Sequence, residues 1–150
     1  MTSKRQKGNI RDIVTIILYM LIAAGVASVI AFLPSLRNGQ ALNEVTMLSA
    51  QMQRAANVAD PSDLNNFEGF VDEGYIDSET YEDGVGENYF GNDVTGVTAT
   101  STGIVTMTYI TNDVEQCAYL KNEIKRQNRR LATAPACTAT TLTLKLTPGI

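Results

Sequence analysis

Cys117 and Cys137 are the two residues of this chain whose side chains can form a covalent bond with each other. They are its only cysteines. In an oxidising compartment such a pair predicts one disulfide, which would close a loop of roughly 20 residues and contribute about 3 kcal/mol in the chain-entropy model. Two independent buried thiols are the alternative. A zinc site is disfavoured, because the chain contains no histidine to complete the ligand set.

Gly8 is the second informative position, because it separates a basic leader from a long apolar segment. It ends a basic leader of residues 1–8, and after Asn9 the segment Ile13 to Leu33 contains 21 residues without a charge. A helix of that length can cross a bilayer core of about 30 Å. A secretory signal instead has a shorter apolar run that precedes its cleavage site. The plausible cleavage site therefore lies before the apolar run, which would leave the helix on the mature protein.

The charge distribution predicts an orientation and argues against two functional classes. The basic leader is expected in the cytoplasm and the C-terminal part, with both cysteines, outside it. The formal net charge of −4 falls to −7 when the three leader bases are removed, and such an acidic chain is a poor nucleic-acid binder. The sequence has no histidine, Gly-rich phosphate loop or nucleophile elbow, so we expect neither an enzyme nor a cofactor.

The sequence after Gly8 predicts one long helix, residues 9–59. Its segment 13–33 is apolar on all sides and is the candidate transmembrane part. From Ala41 to Val58 apolar residues recur at steps of three or four, which indicates an amphipathic helix that packs on a domain. The predicted buried stripe is Leu42, Val45, Leu48, Met52 and Ala55, with Glu44, Gln51 and Arg54 on the other side.

Residues 60–150 are predicted to form a globular head of α+β class, an antiparallel sheet packed on the outer part of the long helix. A short helix is expected at 65–72, and strands at 94–99, 103–111 and 141–146. A further helix is expected from Val114 to about Asn128. Its apolar stripe is Val114, Cys117, Leu120 and Ile124, which places Cys117 on the buried face.

Several stretches of this chain resemble type IVb pilins, including those of conjugative thin pili and of the toxin-coregulated type. These stretches are Lys4–Gly8 before the helix, Phe70–Ile76, Asn88–Val94, Thr106–Ile110, Cys117–Leu120, and Cys137 with the strand after it. They follow the order of the family and cover nearly the whole chain. The resemblance implies the type IV pilin fold, removal of the leader between Gly8 and Asn9 by a prepilin peptidase, and polymerisation through the N-terminal helix into a helical filament.

The same resemblance implies a location and partners. The subunit would sit in the bacterial inner membrane as a single-pass protein with its C-terminus outside, and would then join an extracellular pilus. An inner-membrane assembly platform and other copies of the chain would be its partners. During assembly Asp12 would bond the free amine of Asn9 on a neighbouring copy. The usual family position for that acid is five residues after the cut, here Ile13; an interfacial charge neutralised by Arg11 is the alternative.

Two charged segments carry weaker hypotheses. Lys121, Lys125 and Arg129 recur every four residues and share one helix face, so they could contact the acidic segment Glu68 to Glu87 of another copy. A solvated face is the more common outcome, and contact with DNA is a third alternative. The acidic loop from Asp77 to Gly84 could bind Ca²⁺, but it lacks the ligand spacing of an EF-hand, which favours a solvated loop.

Three functions stay open at this stage. The chain could be the structural subunit of a type IV pilus that serves motility, adhesion, DNA uptake or conjugation. It could be a pseudopilin or minor pilin of a secretion or DNA-transfer machine, processed at Gly8 but confined to the envelope. It could also be a monomeric, signal-anchored periplasmic binding domain, which would keep its leader.

Overall fold

The structure is a computed structural model that describes residues 10–78, 86–127 and 130–148, without the side chains of residues 10–12, 30 and 31. Within these ranges the chain forms three helices and five strands. The helices are α1 (Ile10–Val58), α2 (Phe67–Asp72) and α3 (Val114–Gln127); the strands are β1 (Gly86–Glu87), β2 (Asp93–Thr98), β3 (Val105–Ile110), β4 (Ala136–Thr138) and β5 (Thr141–Leu146). The fold is α+β, and the chain divides into two units, residues 1–37 and 38–150.

The first unit contains the apolar part of α1. Its described large apolar side chains between Ile13 and Leu33 are 45–70% exposed, and none of them belongs to the buried core. Ser28 donates a hydrogen bond from its hydroxyl to the Ala24 carbonyl at 2.8 Å, which satisfies the hydroxyl within the helix. Pro34 lies inside α1, although it has no N–H to donate to the preceding turn. The predicted helix across this segment is confirmed.

The second unit is built on the outer part of α1. Ala41, Val45, Leu48, Met52 and Ala55 are fully buried, and Leu42 is half-buried, which confirms the predicted stripe. The helix lies close to strand β2 at Gly96, where a Cβ atom would stand 2.7 Å from the Cε of Met52. A residue without a side chain at this position therefore lets α1 approach the sheet.

The sheet is antiparallel throughout and has the strand order β1-β2-β3-β5-β4. Met107 in β3 pairs with Gly96 on one side and with Leu144 in β5 on the other. Apolar residues alternate with threonines in both central strands, so the apolar face is buried and the threonine face is turned outward. On that outward face the hydroxyls of Thr95 and Thr108 bond each other across β2 and β3.

The strands predicted at 94–99, 103–111 and 141–146 correspond to β2, β3 and β5. Strands β1 and β4 were not predicted. The predicted short helix is α2, and Asn66 caps it by accepting a hydrogen bond from the Gly69 N–H at 2.8 Å. One residue of the α3 stripe is wrong: Val114 is 60% exposed, because the first turn of the helix is not covered by the core.

A short turn follows the end of α1. Asp60 accepts hydrogen bonds from the Ser62 N–H at 2.9 Å and from the Ser62 hydroxyl at 2.8 Å. The backbone bond, followed by the hydroxyl bond, lowers the pKa of Asp60 below its ordinary value. This local turn sets the direction of the backbone after Asp60. The chain then reaches Leu64, which is fully buried in the core.

Candidate assembly surfaces

A disulfide joins Cys117 of α3 to Cys137 of β4, with the two Cα atoms 6.1 Å apart. Cys117 is fully buried and Cys137 is half-buried against the core. The predicted bond is therefore confirmed, and the described part of the chain has no free cysteine. Because β4 is an edge strand of three residues, the bond holds the short strand onto the helix that covers this end of the sheet.

Helix α3 is positioned by its first turn and by one apolar side. The Asp113 carboxylate accepts a hydrogen bond from the Gln116 N–H at 2.7 Å, which caps the helix. Cys117, Leu120 and Ile124 are buried on its inner side. Of the charged residues in its second half, Lys125 and Arg126 are exposed and Lys121 is half-buried.

The prediction that Glu44 lies on the side of α1 away from the core is wrong. Its Oε2 accepts hydrogen bonds from the Tyr109 hydroxyl at 2.6 Å and from the Tyr89 N–H at 2.8 Å. Tyr109 is fully buried in β3. The Glu44 carboxylate therefore connects the outer part of α1 both to the middle of the sheet and to the turn between β1 and β2.

The turn between β1 and β2, residues 88–92, is held in place by several side chains. Asn88 is buried; its amide donates to the Ile110 carbonyl at 2.7 Å, and its Oδ1 accepts from the Phe90 N–H at 2.9 Å. The ring of Phe90 packs edge-on against Tyr109, with ring centroids 6.3 Å apart. The turn is thus held by side chains from α1, from β3 and from within itself.

The apolar part of α1 is the largest exposed apolar surface of the described residues. It makes α1 long and apolar enough to cross a membrane, and the most apolar stretch of the helix has none of its residues buried. Small residues cluster midway along it: Ala23, Ala24, Gly25, Ala27 and Ser28. The surroundings of Gly25 are open, since a Cβ there would meet no atom within 4 Å. Small residues of this kind let two helices approach closely.

The remaining predicted residues are only partly within the described ranges. Gly8, Asn9 and Arg129 lie outside them, as does the side chain of Asp12. Lys121 is half-buried and Lys125 is exposed, both on α3.

Asp77 is exposed at the start of the acidic loop, while residues 79–85 lie outside the ranges that the structure describes. Across the ranges that the structure covers, no three His, Cys, Asp or Glu side chains cluster closely enough to hold a metal ion. The Ca²⁺ hypothesis for the acidic loop gains no support from the part of the loop that is described.

Comparison with protein-family models, curated proteins and solved structures finds no match to this chain. Three features of the described residues bear on function: an apolar helix segment whose described large side chains are exposed, a small sheet domain that contains a disulfide, and charged groups on the surface of that domain.

Proposed function

We propose that this chain is the structural subunit of a type IV pilus-like filament, in which the apolar helices of many copies pack together. The observation that carries the proposal is the exposure of the large apolar side chains from Ile13 to Leu33 on a chain whose second unit has a complete core. The resemblance of the leader, the turn at 88–92 and the disulfide segment to type IVb pilins supports the same function. The proposal includes no catalytic activity, no cofactor and no direct binding of nucleic acid.

The apolar side chains of α1 need an apolar environment both inside and outside a membrane. In the bilayer, lipid chains cover the apolar side chains, but in a filament outside the cell only other copies of the helix can do so. Burial of each large side chain away from water contributes roughly 1–2 kcal/mol, and the costs of leaving lipid and of lost freedom are subtracted from this gain. The sum over one helix is large enough to drive association, and the small residues from Ala23 to Ser28 allow close packing.

The capacity of α1 to cross a membrane also favours a second candidate, a signal anchor that holds a monomeric binding domain at the membrane surface. The two candidates differ at the leader. The filament subunit should be cut between Gly8 and Asn9 by a prepilin peptidase, and Gly8→Glu should leave the uncut chain. A signal anchor should begin at Met1 in both cases. N-terminal sequencing of the protein from cells that contain the peptidase separates them.

The filament itself is tested in cells that also provide an inner-membrane assembly platform. Wild-type protein should be recovered in sheared extracellular filaments. Ala24→Arg should abolish the filaments, because it places one unpaired charge per copy in an apolar core. The variant should still enter the membrane, since insertion of one Arg costs only about 3 kcal/mol on translocon scales.

Thr100→Arg is the matched control, because it adds the same charge at an exposed turn of the second unit. Its filaments should equal those of the wild type in amount. Normal filament yield from Ala24→Arg would contradict the filament proposal. Wild-type protein that is cut at Gly8 but stays in the envelope would favour the pseudopilin or minor pilin alternative.

A further inference from the structure

Acidic and basic residues of the second unit lie at different positions along the strand order of the sheet. Helix α2 packs against β2, near the β1 end of the strand order, and α3 packs against β5 and β4 at the other end. Exposed carboxylates of α2 and its C-cap form what we call the acidic end: Glu68, Asp72 and Glu73. Three cations in the second half of α3 form what we call the basic end: Lys121, Lys125 and Arg126.

The two ends lie over different strands of the sheet, and the separation of these strands weakens the attraction between the ends within one copy. Neighbouring strands are about 4.8 Å apart, so the strands beneath α2 and α3 are separated by two or three spacings, about 10–14 Å. The Debye length at physiological ionic strength is about 8 Å. The two ends of one head therefore attract each other weakly, whereas the same groups in direct contact between two copies would interact strongly.

The described contacts leave most of these charges without an ionic partner. The salt bridge that the structure shows in its described ranges is within α3, between Arg126 and Glu123 at 2.9 Å. Lys121 and Lys125 have no carboxylate within 4 Å among these residues. Asp113 caps the start of α3 and Glu115 lies in its first turn, so both carboxylates interact favourably with the positive end of the helix dipole. The second half of the helix therefore keeps an excess of positive charge.

We propose that the acidic end of one copy binds the basic end of the next copy, head to tail. The occupant is a second copy because the chain carries both complementary surfaces on opposite ends of one sheet. A contact between two different surfaces is heterologous, and a repeated heterologous contact that does not close on itself produces a filament rather than a dimer. The inference rests on the proposed filament function, and it names the head surfaces that set the register of one copy against the next.

Charge reversal tests this contact in the full chain. The basic-end variant is Lys121→Glu with Lys125→Glu, and the acidic-end variant is Asp72→Lys with Glu73→Lys; lysines at the C-terminus of α2 suit its dipole. Each pair should reduce the mass of sheared filaments tenfold or more, since like charges then face each other. The variant with all four changes has the net charge of the wild type and should recover filament mass to within threefold.

Correct folding of each variant is checked by formation of the disulfide and by protease resistance. A second measurement uses wild-type filaments and a carbodiimide, which joins an amine to a carboxylate as an amide with loss of water. Covalent dimers should contain an α2 peptide joined to an α3 peptide through Asp72 or Glu73 and Lys121 or Lys125. This measurement decides the question even where a variant does not fold.

The outcomes separate this inference from the proposed function. Wild-type cells without filaments would contradict both. Wild-type filaments that tolerate both charge reversals, or that yield dimers without α2–α3 links, would overturn the head-to-tail contact alone. Loss of filaments in the basic-end variant only, without recovery in the fourfold variant, would indicate that the basic end binds another polyanion and would also overturn it.

Discussion

Replacement of Glu44 by alanine should destabilise the second unit, because it removes an acceptor from a buried hydroxyl. The carboxylate accepts from the Tyr109 hydroxyl at 2.6 Å and from the Tyr89 N–H at 2.8 Å. A hydrogen bond to a charged group contributes about 1.5–3 kcal/mol. Tyr89 is 46% exposed, so water can replace its partner, whereas Tyr109 is fully buried. We therefore expect a loss of about 2–4 kcal/mol in the free energy of unfolding, mostly from the bond to Tyr109.

The isosteric change Glu44→Gln should cost about 1 kcal/mol, because the amide oxygen can still accept one hydrogen bond but without the charge. Tyr109→Phe should lower the free energy of unfolding less in the Glu44→Ala background than in the wild type, because the hydroxyl has already lost the Glu44 acceptor in that background. This coupling should be about 1 kcal/mol in a double-mutant cycle. Asn43→Ala is the control: the residue next to Glu44 is exposed, and its change should stay within about 0.5 kcal/mol.

The measurement is guanidinium unfolding of the detergent-solubilised full chain. The signal is tyrosine fluorescence, because the chain contains six tyrosines and no tryptophan. Two results would refute the reasoning: an unfolding free energy of Glu44→Ala within 0.5 kcal/mol of the wild type, given the range for surface substitutions, or full additivity with Tyr109→Phe. Either would mean that the carboxylate does not connect α1 to the sheet in solution.

The remaining predictions concern packing and the disulfide, with the same unfolding assay. Gly69→Ala should lower the free energy of unfolding by about 1–3 kcal/mol, because its Cβ would meet the carbonyl oxygen of Asp63. Gly39→Ala, whose Cβ would meet nothing within 4 Å, should instead raise it by about 0.5–1 kcal/mol; equal effects would contradict this reasoning. Joint replacement of Cys117 and Cys137 by alanine should cost about 3 kcal/mol, and a cost below about 1 kcal/mol would count against the chain-entropy account.

The elements that the sequence predicted well are those with one buried side and sufficient length. In α1 the residues Val45, Leu48, Met52 and Ala55 repeat at helical steps over three turns, and all four are fully buried. In β5 the alternation of leucine with polar residues spans the whole strand, and its predicted bounds, 141–146, are those of the structure. Periodicity determines which side of an element faces the core, and it does so most reliably where several repeats agree.

The edge strands β1 and β4 could not be found in this way, since two and three residues contain no measurable period. Strand β4 is joined to β5 through Ala139 and Thr140, a turn without the Gly or Asn that usually indicates a hairpin. Ala139 adopts a φ of 52°, in the left-handed region that alanine rarely enters. Tertiary contacts, including the disulfide at Cys137, hold this turn against its local preference.

The position of Glu44 on the buried side of α1, unlike strands β1 and β4, could have been predicted from the sequence. It is three residues after Ala41 and four before Leu48, and both of these are fully buried. Residues at such spacings share one face of a helix, so Glu44 belongs to the buried side by position despite its charge. A carboxylate on that side requires partners, and a tyrosine in a predicted strand is a suitable one.

The apolar helix and the charged ends of the sheet would have different roles in the proposed filament. The described large side chains of α1 between Ile13 and Leu33 are exposed, and hydrophobic burial has no directional preference. Helix packing alone can therefore hold copies together without fixing the rotation between them. Opposite charges in contact do fix an orientation, because a wrong register brings like charges together. The Glu44 carboxylate connects residues 38–58 of α1 to the sheet, so a register set by the head surfaces would also set the orientation of this outer part of the helix.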